Sequence, residues 1–123
     1  MKENCSFFCE ITDCTDRNTF CGYIPSVQNE KDLLDEAIKA LNITFETGRN
    51  WDALCELYRD FNWIEQKNIK IFHLGLSLMS MEDIRIYSNI VKITCDFWKY
   101  IPDHDVFFYF SLYEKDLIYP LLL

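Results

Sequence analysis

The sequence has few glycines, few basic residues and no long hydrophobic run. Only 3 of its 123 residues are glycine, which leaves no place for a glycine-rich loop that cradles phosphates. Lysine and arginine total 12 against 20 aspartates and glutamates, so the net charge is -8. A nucleic-acid-binding protein needs the opposite sign, because it must displace counterions from phosphates. The composition therefore excludes a protein with a glycine-rich phosphate-binding loop and a nucleic-acid-binding protein. It favours a basic binding partner.

Signals for a membrane or for secretion are also missing. No uninterrupted apolar stretch reaches the roughly 18 residues of a membrane span, and none of signal-peptide length precedes Asp13. We therefore expect a cytoplasmic protein that contacts no membrane. The apolar tail, residues 117–123, is too short to span a bilayer and is expected to pack on the domain.

Six cysteines are present, but their spacing indicates no particular chemistry. None forms a Cys-x-x-Cys pair, and the first four match no familiar zinc-binding pattern. The six are Cys5, Cys9, Cys14, Cys21, Cys55 and Cys95. In a cytoplasmic protein, reduced thiols are favoured over a disulfide framework. Because the spacing matches no metal site, we also predict no metal and no cofactor.

Strand and helix patterns alternate along the chain. Apolar runs predict strands at 6–11, 69–74 and 106–112, with the extended segment 19–24 as a candidate hairpin partner of the first. Apolar residues three and four apart predict helices that begin behind Asn29, Asn50 and Ser80 and run to Asn42, Asn62 and Tyr100. The last strand is apolar throughout, as expected of a strand covered on both faces. This order predicts an α/β fold, a single domain over residues 1–123 with a three-stranded parallel sheet packed against helices.

The second predicted helix carries three acids on one side. At 100° per residue, Asp52, Glu56 and Asp60 lie opposite the apolar face of this helix. Like charges at this spacing repel by about 0.2–0.5 kcal/mol per pair. On spacing alone the simpler interpretation is a solvated face, in which Asp52 complements the helix dipole and two arginines, Arg49 and Arg59, relieve part of the repulsion.

The residues around these acids favour a different interpretation. The segment 48–56 has Gly-x-Asn, then Asp-Ala-Leu beginning at Asp52, then an acid at Glu56, and it resembles the signature of the barstar family. The elements before and after this motif also fall in the family's order, so the resemblance covers residues 30–112 plus the first strand. The resemblance implies a small cytoplasmic inhibitor of a barnase-like secreted ribonuclease. Such an inhibitor acts as an immunity protein.

The resemblance also implies roles for single residues. Asp52 matches the family's aspartate that contacts basic residues of the target's catalytic site, and Glu56 matches an acid that reaches the phosphate-binding subsite. Asn50 and Trp51 match neighbouring interface positions. The implied mechanism is physical blockade, in which carboxylates replace substrate phosphates in a basic cleft. The expected partner-binding residues are Asn50, Trp51, Asp52, Cys55, Glu56, Arg59 and Asp60, with Glu46 and Asp96 as additional candidates.

Several positions depart from the family pattern. Glu46 and Thr47 stand where aromatic residues are common. Cys55 stands where the best-known member of the family has a tryptophan, and Glu56 replaces an aspartate. A further acid of the family, on the late helix, corresponds to Asp96 in one alignment. Fewer aromatic anchors and a longer acidic reach predict a different target or a weaker complex.

Two other functions fit the sequence. The same fold suits an interaction module whose basic partner is not a ribonuclease. A thiol or metal enzyme would use Cys55 beside a histidine, or the triplet 103–105 (Asp-His-Asp) as ligands. We expect His73 in the core instead and the triplet in a solvated loop. The prediction is therefore a monomeric, non-enzymatic inhibitor of a basic secreted ribonuclease or related nuclease toxin.

Overall fold

The computed structural model describes residues 3–11 and 16–123. It has the α/β fold that the sequence predicts, but its parallel sheet has four strands instead of three, in the order β1-β4-β3-β2. The strands are β1 (Cys5–Phe8), β2 (Thr19–Ile24), β3 (Asn68–His73) and β4 (Asp105–Ser111). The helices are α1 (Glu30–Ala40), α2 (Trp51–Tyr58), α3 (Met81–Trp98) and α4 (Lys115–Ile118), the last flanked by 3-10 turns at Leu112–Glu114 and Tyr119–Leu122.

The extra strand is β2, for which the sequence predicts a hairpin with β1. That prediction is wrong, because β2 lies at the opposite edge of the sheet and pairs in parallel with β3. β1 pairs with β4 at the other edge. The physical reason is the crossover: α1 and α2 connect β2 to β3 as a parallel unit, which buries Ile24 completely beneath the helices.

One face of the sheet forms the hydrophobic core. Alternate residues of the two central strands, Ile69 and Ile71 of β3 and Val106 and Phe108 of β4, have no exposed surface, as the period of two requires. Because β2, β3 and β4 are neighbours joined by right-handed crossovers in one direction, α1, α2 and α3 cover this same face.

The other face carries a row of aromatic rings. Tyr23, Phe72 and Tyr109 are register partners on β2, β3 and β4, and their rings stack with centroid distances of 5.2 and 4.6 Å. Tyr109 is half-buried rather than covered. The continuous apolar run in β4 therefore reflects one face under helices and one aromatic row, and the expectation of two covered faces is wrong.

A buried hydrogen-bonded chain fastens α2 to α3 and the sheet. His73 Nδ1 lies 2.8 Å from the carbonyl oxygen of Tyr109; since a carbonyl only accepts, this nitrogen donates, and Nε2 accepts from the Tyr87 hydroxyl. The Tyr58 hydroxyl then donates to the Tyr87 oxygen at 2.8 Å. Burial lowers the pKa of His73 to about 4, so the ring is neutral, and its predicted place in the core is confirmed.

The C-terminal residues pack on the domain, as predicted. Ile118 and Leu122 are fully buried in the core. The Glu114 carboxylate accepts hydrogen bonds from the backbone N–H groups of Leu76 and Ser77 at 2.8 and 2.9 Å, which ties the tail to the loop after β3. Among the described residues no helix combines the length and apolar character that crossing a membrane requires.

Candidate functional site

Helix α2 begins at a well-defined N-cap and carries two acids on its exposed side. Asn50 is its N-cap, and the side-chain oxygen accepts from the N–H of Ala53 at 2.8 Å, as predicted. Its buried side is formed by Leu54, Leu57 and Tyr58. Asp52 and Glu56 are exposed on the other side, four residues apart and thus about 6 Å apart along the helix axis.

Folding explains most of the Gly-x-Asn-x-Asp-Ala-Leu motif. A Cβ added at Gly48 would lie 3.2 Å from the Cβ of Ala53, so the loop packs closely against the first turn only if both residues are small. Asn50 is the cap, and Leu54 is core. Asp52 is exposed and packs against nothing in the core. The fold therefore depends less on the Asp52 side chain than on the other motif residues. Its one structural contribution is a favourable position beside the helix dipole.

The two α2 carboxylates differ from the acids around them. Asp35 of α1 pairs with Lys31 at 2.9 Å and with Arg49 at 3.7 Å, and Asp32 accepts from the backbone N–H of Gln28. Within residues 3–11 and 16–123, neither the Asp52 nor the Glu56 carboxylate forms a hydrogen bond or an ion pair. Their charges are therefore available to an external cation.

The predicted third acid of this face, Asp60, does not lie on the helix. α2 ends at Tyr58, four residues before the predicted end, and Arg59 is its C-cap. Phe61 has a φ of 51°, which turns the chain so that its ring is fully buried. Asp60 accepts instead from the N–H of Asn62 at 3.3 Å. The predicted stripe of three acids is therefore a pair, because burial of Phe61 takes precedence over helix continuation.

The remaining α2 candidates lie at the side of the acidic pair. Trp51 and Cys55 are half-buried against the core, and the Trp51 ring lies 6.4 Å from that of Tyr87 on α3. Arg59 is exposed and donates from Nε to the carbonyl of Cys55 at 3.2 Å. Asn50, Trp51, Asp52, Cys55 and Glu56 are thus together on one helix, with Arg59 at its end.

The two additional candidates lie farther away. Glu46 is exposed in the loop between α1 and α2. Asp96 of α3 lines a cleft of about 390 Å³ together with Glu3, Asn4 and Asp105, which places it beside the β1 edge. The structure does not bring Asp96 together with the α2 carboxylates.

An ion pair that no sequence pattern predicts holds the loop before α2. Arg49 reaches Asp35 of α1 across 14 positions of sequence, and no local pattern reveals a pair so far apart. Phe45, in the same loop, is exposed and packs edge-on against Trp63 at 5.3 Å, which the sequence does not predict either. Both contacts position the segment that leads into Asn50.

The triplet 103–105 and a cysteine beside a histidine are the sequence's candidates for metal or thiol chemistry. In the part of the chain that the structure describes, no group of three or more His, Cys, Asp or Glu side chains could hold a metal. His104 is buried and bonds the carbonyl of Gln66 at 2.8 Å, so the prediction of a solvated loop is wrong at this residue. It packs edge-on against Trp98, which explains its burial.

One cysteine departs from the prediction of reduced thiols. Cys21 on β2 is disulfide-bonded, whereas Cys9 and Cys55 are free thiols. Cys14 lies outside the described residues.

Comparison with known proteins decides the family. The model of the barstar family, described as barnase inhibitor, matches residues 21–112, which is most of the chain. The protein belongs to the barstar family. No curated protein and no solved structure matches the chain. The barstar match begins within β2, so the first predicted strand, now β1, lies outside it. It also stops before the residues that form α4.

Proposed function

We propose that this barstar-family protein inhibits a barnase-like secreted ribonuclease by occupying its active site, as an immunity protein does against a toxin. The observation that carries the proposal is the acidic pair: Asp52 and Glu56 are exposed, one turn apart on α2, and have no partner within the described residues. The net charge of -8 adds long-range attraction for a basic enzyme.

The geometry suits carboxylates that replace substrate phosphates. The Asn50 cap and the close contact of Gly48 with Ala53 hold the first turn of α2 in place before any partner binds. Binding then orders few groups, which keeps its entropic cost low. Arginine, lysine and histidine side chains of a ribonuclease cleft would donate charge-assisted hydrogen bonds to Asp52 and Glu56.

The test is inhibition of barnase and related secreted ribonucleases by the purified chain. We expect a stoichiometric complex whose association rate falls as salt rises. The double variant Asp52→Asn, Glu56→Gln should weaken binding at least tenfold, because charged hydrogen bonds are lost. A control with the same loss of charge, Glu65→Gln with Asp116→Asn, changes two exposed acids elsewhere and should leave affinity within about twofold. Equal inhibition by the α2 variant and the wild type would contradict the proposal.

A second function is favoured by the departures from the family pattern. Cys55, Glu46 and Thr47 remove aromatic anchors near the acidic pair, and a surface with fewer anchors suits another basic partner of the same general charge. In that case no ribonuclease is inhibited, and a basic protein binds with an affinity that still depends on Asp52 and Glu56.

A further inference from the structure

Two cysteines from distant parts of the chain are in contact inside the protein. Cys5 of β1 and Cys95 of α3 are 90 positions apart, and their Sγ atoms lie 3.7 Å from each other. Both side chains are thiols, and they are only 4% and 6% exposed. A disulfide bond is about 2.05 Å long, so a movement of less than about 1 Å by each sulfur would join them. The fold therefore holds the two thiols close to bonding distance.

Both members of this pair are anchored by their surroundings. Cys5 is the register partner of Phe108, within the four pairs that join β1 to β4, and it therefore faces the side of the sheet that α3 covers. Cys95 belongs to the buried side of α3. It lies one turn before Trp98, whose Nε1 donates to the carbonyl of Tyr58 at 2.7 Å. The strand and the helix thus keep the two sulfurs adjacent.

Cys95 is the thiol that a small oxidant reaches first. It lines the cleft of about 390 Å³ beside the β1 edge, which is large enough for several water-sized molecules. Lys99 lines the same cleft one helical turn later, and its charge favours the reactive thiolate. Three carboxylates of the cleft, Glu3, Asp96 and Asp105, oppose the thiolate. We therefore expect oxidation over minutes to hours rather than seconds.

We propose that Cys5 and Cys95 form an oxidation site, at which hydrogen peroxide converts two thiols into a disulfide between β1 and α3. The Cys95 thiolate attacks one peroxide oxygen, the O–O bond breaks, and the departing hydroxide takes up the thiol proton and leaves as water. The Cys5 sulfur then attacks the sulfenic sulfur of Cys95. The S–O bond breaks, and a second water leaves with the Cys5 proton. One peroxide thus becomes two waters, and the two thiols lose two electrons and two protons.

The disulfide secures a strand that the barstar match does not include. β1 has 4 residues, lies at an edge of the sheet and precedes residue 21, where the match begins. A bond from Cys5 to Cys95 closes a loop of about 90 residues, and the stabilisation by a cross-link increases with loop length. Oxidation therefore raises the resistance to unfolding without changing Asp52 or Glu56, so this site is independent of the proposed function.

The experiment exposes the purified full chain to a slight excess of hydrogen peroxide without denaturant and maps disulfides by mass spectrometry of a non-reduced digest. We expect a pair of peptides joined through Cys5 and Cys95, and a chain mass lower by two hydrogen atoms. The midpoint of thermal unfolding should rise by at least about 5 °C. The control variant Cys9→Ala, Cys55→Ala lacks two other thiols that the structure describes, and should show the same link and the same rise.

Single variants test the order of the two steps. In Cys5→Ala the second step is blocked, so the sulfenic-acid reagent dimedone should label Cys95, and the midpoint should not rise. In Cys95→Ala the Cys5 thiol should stay unlabelled under the same conditions, and labelling there would overturn the order of attack. A wild-type chain that gives no link between Cys5 and Cys95, or a link with an unchanged midpoint, would overturn the proposal. The wild-type map decides the outcome even where a variant fails to fold.

Discussion

The hydroxyl oxygens of Tyr58 and Tyr87 lie 2.8 Å apart in the interior of the protein. Tyr58 is the last residue of α2, and Tyr87 lies in the middle of α3. The Tyr87 hydroxyl also donates to His73 on the central strand β3. The acidic helix is therefore joined to the sheet through a chain of hydrogen bonds in which Tyr87 is the shared residue.

Replacement of the two tyrosines should have unequal effects. Tyr87→Phe leaves both the Nε2 of His73 and the Tyr58 hydroxyl buried without a partner, which should lower the free energy of unfolding by about 3 kcal/mol. Tyr58→Phe removes only one donor to Tyr87 and should cost about 1 kcal/mol. Urea unfolding at neutral pH measures both values. An equal or larger cost for Tyr58→Phe would contradict the assigned direction of the hydrogen bonds.

Stability should fall on mild acidification because of His73. Its pKa in the folded protein is about 4, against 6.5 in the unfolded chain, so the unfolded state takes up the proton first. The contribution is complete above pH 6.5 and is lost as the pH falls toward 4, by about 1.4 kcal/mol per pH unit within that window. Unfolding free energies at pH 7, 6 and 5 should show this slope, and His73→Gln should remove that part of it.

The N-cap of α2 should contribute measurably to stability. Asn50→Ala removes the acceptor for the Ala53 N–H and should cost about 1 kcal/mol. Asn50→Asp retains an acceptor and should cost almost nothing. Asn62→Ala changes an exposed asparagine that caps no helix and serves as the control. If Asn50→Ala were as stable as Asn62→Ala in thermal unfolding, the cap would have no role in holding the acidic turn.

Two glutamates should respond oppositely to neutralisation. Glu114→Gln loses a carboxylate that accepts from two backbone N–H groups, and should destabilise by about 2 kcal/mol. Glu56→Gln removes a like-charge neighbour of Asp52 and should leave stability unchanged or raise it by about 0.3 kcal/mol. Chemical unfolding distinguishes the two. A clear loss of stability in Glu56→Gln would indicate a structural role and weaken its assignment to binding.

Local signals predicted where the three long helices begin and how two of the acids are spaced. The caps at Asn29, Asn50 and Ser80 are confirmed by side-chain hydrogen bonds to the backbone, because capping is decided within four residues of chain. The spacing of Asp52 and Glu56 along α2 likewise follows from helix geometry alone.

Non-local contacts explain the errors. The helix pattern continues through Asp60, but Phe61 finds a buried place against Trp98 at 5.9 Å that requires a positive φ and ends α2. Whether 19–24 pairs with β1 or with β3 depends on helices that come later in the chain. The ion pair of Arg49 with Asp35 has the same origin, since the two lie on different segments. Sequence periodicity contains none of this information.

The barstar match and the folding unit have different limits. β1, which pairs with β4, lies before residue 21, and the buried Ile118 and Leu122 lie after residue 112. Removing them would leave the backbone of β4 unpaired along one edge and open the core beside α3 to water. The family segment therefore carries Asp52 and Glu56, whereas the residues on either side of it complete the sheet edge and the core on which the whole chain's stability depends.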